Sequence, residues 1–478
     1  MSVVQPKDLR SFVAEVQARA PESIRHVSRA VSPVRELAAI VKLAETRGNP
    51  VIVFHNVQGS KLPVICGVHA SRERIALALE ADVSRLVEEY SERASDELPP
   101  ERAEHAPVKD VVLTGRDVDL STLPIVTHAR GDAGPYIGGG VGIARDPLSG
   151  ALNTGIYRLM LKDRNKLICH VNRFHHLAEI IRRTQERGEP SEVVIAIGHH
   201  PAFQIGSQTK IPIHKDSIAH VGALLREPVL LAPAETVQLP VPAHAEIVLE
   251  CVVRAGETEP DGPYGEFTYY YGADQSAYVL DVVAMTHRRD ALYLDIHNVH
   301  TEHRTLWIFP VREANLLRKL RDVLPRTLGV HIPDSGAGMH AYVSIEKLRE
   351  GDGKNAIVTA LAADHIIKHV VVVDKDIDPH DERQVLWALA TRFQADRDLV
   401  VVTGSQCTAL DPSSYSLLDR HASTGLTTKM GLDATKWVEV PFAERADTID
   451  PEYASLDVEA YFSGSAPAKW LATSPTLP

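Results

Sequence analysis

Apolar positions recur at helical spacing over residues 7–20, where Leu9, Phe12, Val13 and Val16 share one face, and again over 33–46. VIVFHNV (51–57) is a β-branched run and predicts a buried strand. SRERIALALEADVSRLVEEY (71–90) predicts a helix opened by Ser71, with Glu73 and Arg74 in its first turn. The polar stretch SERASDELPPERAEHAPVKD (91–110), with its paired prolines, ends this pattern and marks a first domain boundary. From 111 the texture turns to short β-rich runs broken by Gly and Pro, such as VVLTG, TGIYRLML, EVVIAIG and AYVLDVVAMTH. Runs so closely spaced predict an antiparallel sheet closing into a barrel, interrupted by one helix at 175–189. Beyond 305, helices (312–322, near 353–367, 382–393) alternate with strands (341–346, 370–374, 399–404), which predicts a further α/β region. The fold class expected is therefore mixed α/β, in three domains: 1–110, 111–305 and 306–478. The polar tail after 440 is expected to wrap a neighbour.

Composition narrows the function classes. A chain of 478 residues is too long for one core, which agrees with several domains. Its net charge of −12 disfavours nucleic acid and anionic lipid as partners. No apolar run approaches the length of a membrane span, and the polar, helix-like start MSVVQPKDLRSFVAEV does not read as a leader. Cys66, Cys169, Cys251 and Cys407 are far apart and form no CxxC pair, so reduced thiols and a cytoplasmic location are expected.

Three clusters carry candidate chemistry. In GALNTGIYRLML (150–161), Asn153 and Arg158 stand five apart, which strand alternation would send to opposite faces; alone, both read as structural. In CHVNRFHHLAEI (169–180), His175 and His176 open a helix whose free N–H groups suit a phosphate. Adjacent helical positions diverge by roughly 100°, so only one of the pair would face a given ligand. The pair in GHHPAF (198–203) is an equal competitor. In DGPYGEF (261–267), Asp261 and Glu266 flank a stiff turn that would suit acid/base work, against the simpler reading of a surface hairpin. No P-loop, GxSxG or HExxH occurs, and the Gly-rich GPYIGGGVG (134–142) is followed by no helix, so a dinucleotide fold is disfavoured.

Taken in order, DVDLSTLPIVTH and GDAGPYI (117–137), NTGIYR (153–158), VPAHAEIVLE (241–250), DGPYGEF, the VVVVDKDIDPHDERQVLWALATR block and KMGLDAT (429–435) resemble the UbiD family of prenylated-FMN-dependent decarboxylases. The resemblance covers most of the chain. It implies an N-terminal α/β part, a split β-barrel of flavin-reductase type that binds the cofactor, and a C-terminal α/β oligomerisation domain. It also implies prenylated FMN delivered by an FMN prenyltransferase, a divalent metal (Mn2+ or Mg2+) with K+ as a further ion, and a homodimer or hexamer.

Carried over by residue, Asn153 and His176 match metal ligands, His176 being chosen over His175 by its spacing from Arg158. Ile156, Tyr157 and Arg158 match the segment along the flavin, with His170, Asn172 and His175 beside it. Arg158, Asp261 and Glu266 match the family's Arg–acid–Glu network, in which Glu266 would deliver the proton that replaces CO2. The third metal ligand of the family is a Glu; here the matching position is Ser217, with Asp216 or water as the substitute. Pocket walls correspond to Asn172, His175, Phe267 and HTEHRTLW (300–307), whose polarity implies an aromatic or heteroaromatic acid bearing a second polar group. The simpler alternative leaves His303 and Arg304 in solvent. Two rival functions are an FMN-binding oxidoreductase of the same fold and a non-catalytic assembly protein.

Overall fold

The computed structural model describes residues 6–173, 175–272, 275–414, 425–446 and 455–462. Met1–Thr435 forms one compact unit and Lys436–Pro478 a second. In the first unit, strands Ile24–Val27, Val51–Phe54 and Val64–Cys66 build a small sheet that Tyr293–Leu294 completes from the far end of the central region. The expected strand at 51–57 is fully buried over Val51–Phe54, as its β-branched run requires.

The central sheet runs in the order Tyr136–Ile137, Leu159–Asp163, Lys166–Cys169, Gln275–His287, Ile247–Asp261, Ser191–Ile197, Val141–Arg145, Leu152–Ile156, with Val111–Thr114 also on Gln275–His287. It curls into a half-barrel, and its pairs along this path are antiparallel, as the short punctuated runs predict. Two long strands, Ile247–Asp261 and Gln275–His287, carry it; their register shifts between Val253 and Thr258, where the sheet bends. The third sheet orders Thr327–His331, His340–Ile345, His369–Asp374, Leu426–Ala434 and Leu399–Gln406, with helices Val311–Val323, Asp352–Ala363 and Glu382–Arg392 beside it.

Two expectations change. The helix at 71–90 is two, Arg72–Ala78 and Leu86–Arg93, because Glu80 takes a left-handed φ of 48° and Asp82 caps a new turn at Ser84. The barrel is interrupted by more than the helix His176–Glu186: Pro201–Gly206 and Ser217–Leu225 are also helical. Both of these are buried almost all round, so they show no amphipathic period to read. KMGLDAT lies on an inner strand, paired on one side with His369–Asp374 and on the other with Leu399–Gln406. Of the tail, 447–454 and 463–478 lie outside the described residues; Val458–Phe462 is a short helix.

Candidate active site

Arg158 follows the end of strand Leu152–Ile156 and precedes Leu159–Asp163, so its side chain is freed from strict strand alternation. It meets residues more than a hundred positions away. Its Nε and Nη2 donate to Asp261 Oδ2 at 2.9 and 2.6 Å, and its Nη1 donates to Glu266 Oε1. Asp261 ends the 15-residue strand Ile247–Asp261, and its Oδ1 accepts from the Tyr136 hydroxyl at 3.1 Å. Glu266 begins the loop between Tyr264–Gly265 and Tyr271–Gly272. Asp261 is 0% and Glu266 5% exposed, which removes the surface-hairpin reading of DGPYGEF.

Burial pushes the Glu266 carboxyl above its ordinary range; Arg158 opposes this, while Asp261 and Asp132 reinforce it. Burial works against the Arg158 charge, but Glu266 and Asp261 outweigh it and hold the guanidinium firmly protonated. The result is one fixed cation between two acids, the inner one bound twice by Arg158 and once by Tyr136. The outer acid, Glu266, is the one whose pKa burial raises.

The proposed ligands also meet. Asn153 Nδ2 and His176 Nδ1 are 3.1 Å apart, on a strand and on the first turn of His176–Glu186. Asp216 caps Ser217–Leu225, its Oδ1 accepting from the Ile218 and Ala219 N–H at 2.9 and 3.1 Å. Its Oδ2 accepts from the Leu152 N–H at 3.3 Å, which places the carboxylate one residue from Asn153. Ser217 is the first helical residue and is buried. Among the described residues no group of three or more His, Cys, Asp or Glu surrounds a point where an ion could sit. An ion here would therefore rest on an amide, an imidazole, Asp216 and non-protein donors.

The surrounding groups fit an anion. His175 is the N-cap of its helix and makes no side-chain capping bond, leaving the first turn's N–H groups to another partner. Partial desolvation, then Lys210, holds His175 and His176 below their ordinary values. Lys210 had no signal in the sequence. The acid that acts on it, Asp364, is already taken by Arg312 Nε at 2.6 Å. His170 Nδ1 lies 3.7 Å from Asp261, and burial lowers it to about 4. The Tyr157 ring turns over Gly142 and Gly155, where any Cβ would stand within 3 Å of it, and its centroid is 6.3 Å from that of His175. Ile156 is half-buried and Asn172 exposed, its carbonyl accepting from the His175 N–H at 2.8 Å.

The competing pair His199 and His200 is structural. Both are buried and pushed down to about 3, and their Nδ1 atoms accept the His200 and Ala202 N–H groups at the start of Pro201–Gly206. Of the pocket-wall residues, Arg304 is buried and His303 half-buried, so neither is left in solvent, whereas Asn172 and His175 are exposed. Arg304 is 1% exposed and pairs with Asp334; among the described residues its Nη1, His303 Nδ1, Trp307 Nε1, Tyr264 Oη and both nitrogens of buried His297 have no hydrogen-bond partner. Phe267 packs edge-on against Trp307 at 4.9 Å. These unsatisfied polar atoms suit a polar ligand that would complete them.

Family models for the 3-octaprenyl-4-hydroxybenzoate carboxy-lyase N-terminal domain, Rift-related domain and C-terminal domain match residues 17–94, 101–300 and 306–434. Anhydromevalonate phosphate decarboxylase of Methanothermobacter thermautotrophicus is 36% identical over 80% of this chain and 88% of its own. The Aeropyrum pernix protein of the same name is 33% identical over 91% and 94%. Among solved structures, the UbiD-class enzyme HmfF from Pelotomaculum thermopropionicum, in complex with FMN, superposes with a TM-score of 0.89 at 36% identity, covering 95% of this chain and 100% of that one. With its sequence and its half-barrel in agreement, the chain belongs to the UbiD family of carboxy-lyases.

Proposed function

We propose that the chain catalyses the reversible, non-oxidative decarboxylation of an unsaturated carboxylic acid with prenylated FMN. The observation that supports this most is the buried trio, since redox chemistry alone would not require a carboxyl of raised pKa beside a bound arginine. The solved FMN and prenylated-FMN complexes of HmfF support the cofactor. Prenylated FMN, when bound, would supply the centre that holds the substrate and takes up the electron pair left by departing CO2.

The remaining work falls to the chain. Loss of CO2 from a carboxylate consumes one proton at carbon, and Glu266 delivers it, burial having raised its pKa and so favoured the acid form. Arg158 orients Glu266 and, once the proton has left, stabilises the carboxylate. Asp261, with Tyr136, holds Arg158 in place. Asn153 and His176 would hold Mn2+ or Mg2+ against the flavin phosphate, with Asp216 or water completing the ligands. Lys210 and the first turn of His176–Glu186 would face that phosphate, and Ile156, Tyr157, His170, Asn172 and His175 would flank the flavin.

The unpartnered His297, His303 and Arg304 Nη1 support a substrate with a second polar group, in the aromatic or heteroaromatic class. A second reading, a phosphorylated aliphatic unsaturated acid, is favoured by Lys210 and by the names of the curated relatives. We assign domains at 1–110, 111–305 and 306–478, a cytoplasmic homodimer or hexamer, and an FMN prenyltransferase as supplier. The test is protein produced with and without that prenyltransferase, its absorption spectrum recorded, then offered hydroxybenzoic, heteroaromatic, dicarboxylic and phosphorylated acids. CO2 release only from the prenyltransferase-loaded protein is expected; reduction by nicotinamide without CO2 would favour a flavin oxidoreductase instead.

A further inference from the structure

The hairpin that carries Glu266 has a strained tip. Tyr269 takes φ +66°, a left-handed conformation that residues with a Cβ rarely occupy. The loop is closed by two backbone bonds, both to Glu266: its N–H donates to the Tyr270 carbonyl and its carbonyl accepts from the Tyr269 N–H, each at 2.9 Å. A turn of Tyr269 therefore moves the Glu266 backbone directly. On the returning strand Gly272 packs against the same pair, a Cβ there standing 3.5 Å from Glu266 Oε1 and 3.6 Å from Arg158 Nη1.

The Tyr269 ring is half exposed, yet two cations hold it. Lys42 Nζ lies 4.8 Å from the ring centroid and 3.5 Å from the hydroxyl; Arg304 Cζ is also 4.8 Å from the centroid. Each cation is anchored in turn. Lys42, near the end of helix Glu36–Ala44, donates to the Val299 carbonyl at 2.9 Å and pairs with Glu45 at 2.5 Å. Glu45 accepts from the Thr301 N–H at 2.8 Å, at the start of helix Thr301–Ile308, and Arg304 of that helix is fixed by Asp334. Two helices and the loop thus converge on one ring. Left-handed non-glycine residues persist where their surroundings over-determine them, and cation–π contacts of this kind supply that constraint.

We propose that Tyr269 is a positioning residue for proton transfer: its ring, gripped by Lys42 and Arg304, sets the pose of Glu266 against Arg158. This rests on Glu266 being the donor. The groups facing Glu266 are Arg158, Asp261, Asp132 and Tyr264, from four segments of the central region; Lys42 and Arg304 act on it only through Tyr269. Releasing the ring lets water reach Glu266, and its raised pKa falls toward the ordinary carboxylate value.

The experiment compares Tyr269→Leu and Tyr269→Phe with the wild-type holoenzyme, reading kcat against pH and hydrogen–deuterium exchange at the product carbon. On cofactor-free protein, the Glu266 carboxyl is titrated by infrared difference against Glu266→Gln. Tyr269→Leu is expected to lose kcat and exchange by roughly tenfold to a hundredfold. Its alkaline limb and its infrared midpoint should both move to lower pH, because only protonated Glu266 can donate. Tyr269→Phe, which keeps the ring, should restore most of the rate and the wild-type midpoint. A Tyr269→Leu enzyme with normal rate and midpoint would overturn the proposal, and so would a Tyr269→Phe enzyme as impaired as Tyr269→Leu. If Tyr269→Leu does not fold, Lys42→Met decides: a lower midpoint supports the proposal and a wild-type one overturns it. A fully active Glu266→Gln would remove the donor itself, whereas an inactive Glu266→Gln beside an unaffected Tyr269→Leu would remove only the role of Tyr269.

Discussion

Asn153 and His176 lie 23 residues apart in the chain, with side-chain nitrogens 3.1 Å apart in space, and both are polar groups at the candidate site. Asn153→Ala and His176→Ala are expected to stay folded and to purify with much less prenylated FMN, read from the absorption spectrum and from released cofactor. Full occupancy in both would contradict their role. Asp216 needs a finer substitution, because its carboxylate also caps a helix; Asp216→Ala would cost about 1 kcal/mol through the cap alone. Asp216→Asn keeps a capping oxygen, so a fall in bound metal by elemental analysis, larger than in Ser217→Ala, would report ligation. The reverse ranking would place Ser217 at the metal. At this scale the sequence was legible only through resemblance. Spacing alone set Asn153 and Arg158 on opposite faces, and nothing local tied Arg158 to Asp261 and Glu266, 103 and 108 residues away. Lys210 and Tyr136 were missed because a lone lysine in a polar stretch and a tyrosine on a two-residue strand carry no pattern.

Elements with a clear period were readable. The buried face of Leu9–Arg19 is Leu9, Phe12 and Val16, and the helices and strands beyond 305 fall within a few residues of their apolar runs. Elements buried on all sides were not, as Ser217–Leu225 shows. Helix Val311–Val323 contains a polar residue that patterning would place on a surface and tertiary contacts bury. Glu313 accepts from the Ile332 N–H at 2.9 Å and from His331 Nδ1 at 2.9 Å, and pairs with Arg72 at 3.1 Å. Burial raises its pKa, but His331, Arg72 and that N–H outweigh burial and hold it at about 2, against an ordinary 4.5. A depressed pKa means stability that is complete above pH 4.5 and lost as pH falls toward 2. Glu313→Gln should therefore destabilise the protein by about 3 kcal/mol at neutral pH, with the difference from wild type shrinking in acid, as measured by urea unfolding. A constant difference from pH 7 to 3 would contradict the pairing.

For the molecule as a whole, the net charge of −12 is distributed unevenly, since Lys210, Arg312 and Lys429 gather around Asp364. The outer strand Leu399–Gln406 exposes Leu399 and Val401, and Leu386 and Trp387 are exposed on the neighbouring helix, a surface suited to self-association. Light scattering is expected to show a dimer or larger; a stable 52.4 kDa species at micromolar concentration would contradict it. Domain-level texture was thus legible from the apolar pattern, while the joining of distant segments at one buried trio was reached in the sequence only through the family resemblance. The most direct test of that trio is hydrogen–deuterium exchange at the product carbon by Glu266→Gln carrying a full complement of prenylated FMN. Exchange should fall by roughly two to four orders of magnitude, the size of a missing general acid, while the flavin spectrum stays that of wild type. Wild-type exchange by that variant would contradict Glu266 as the proton donor.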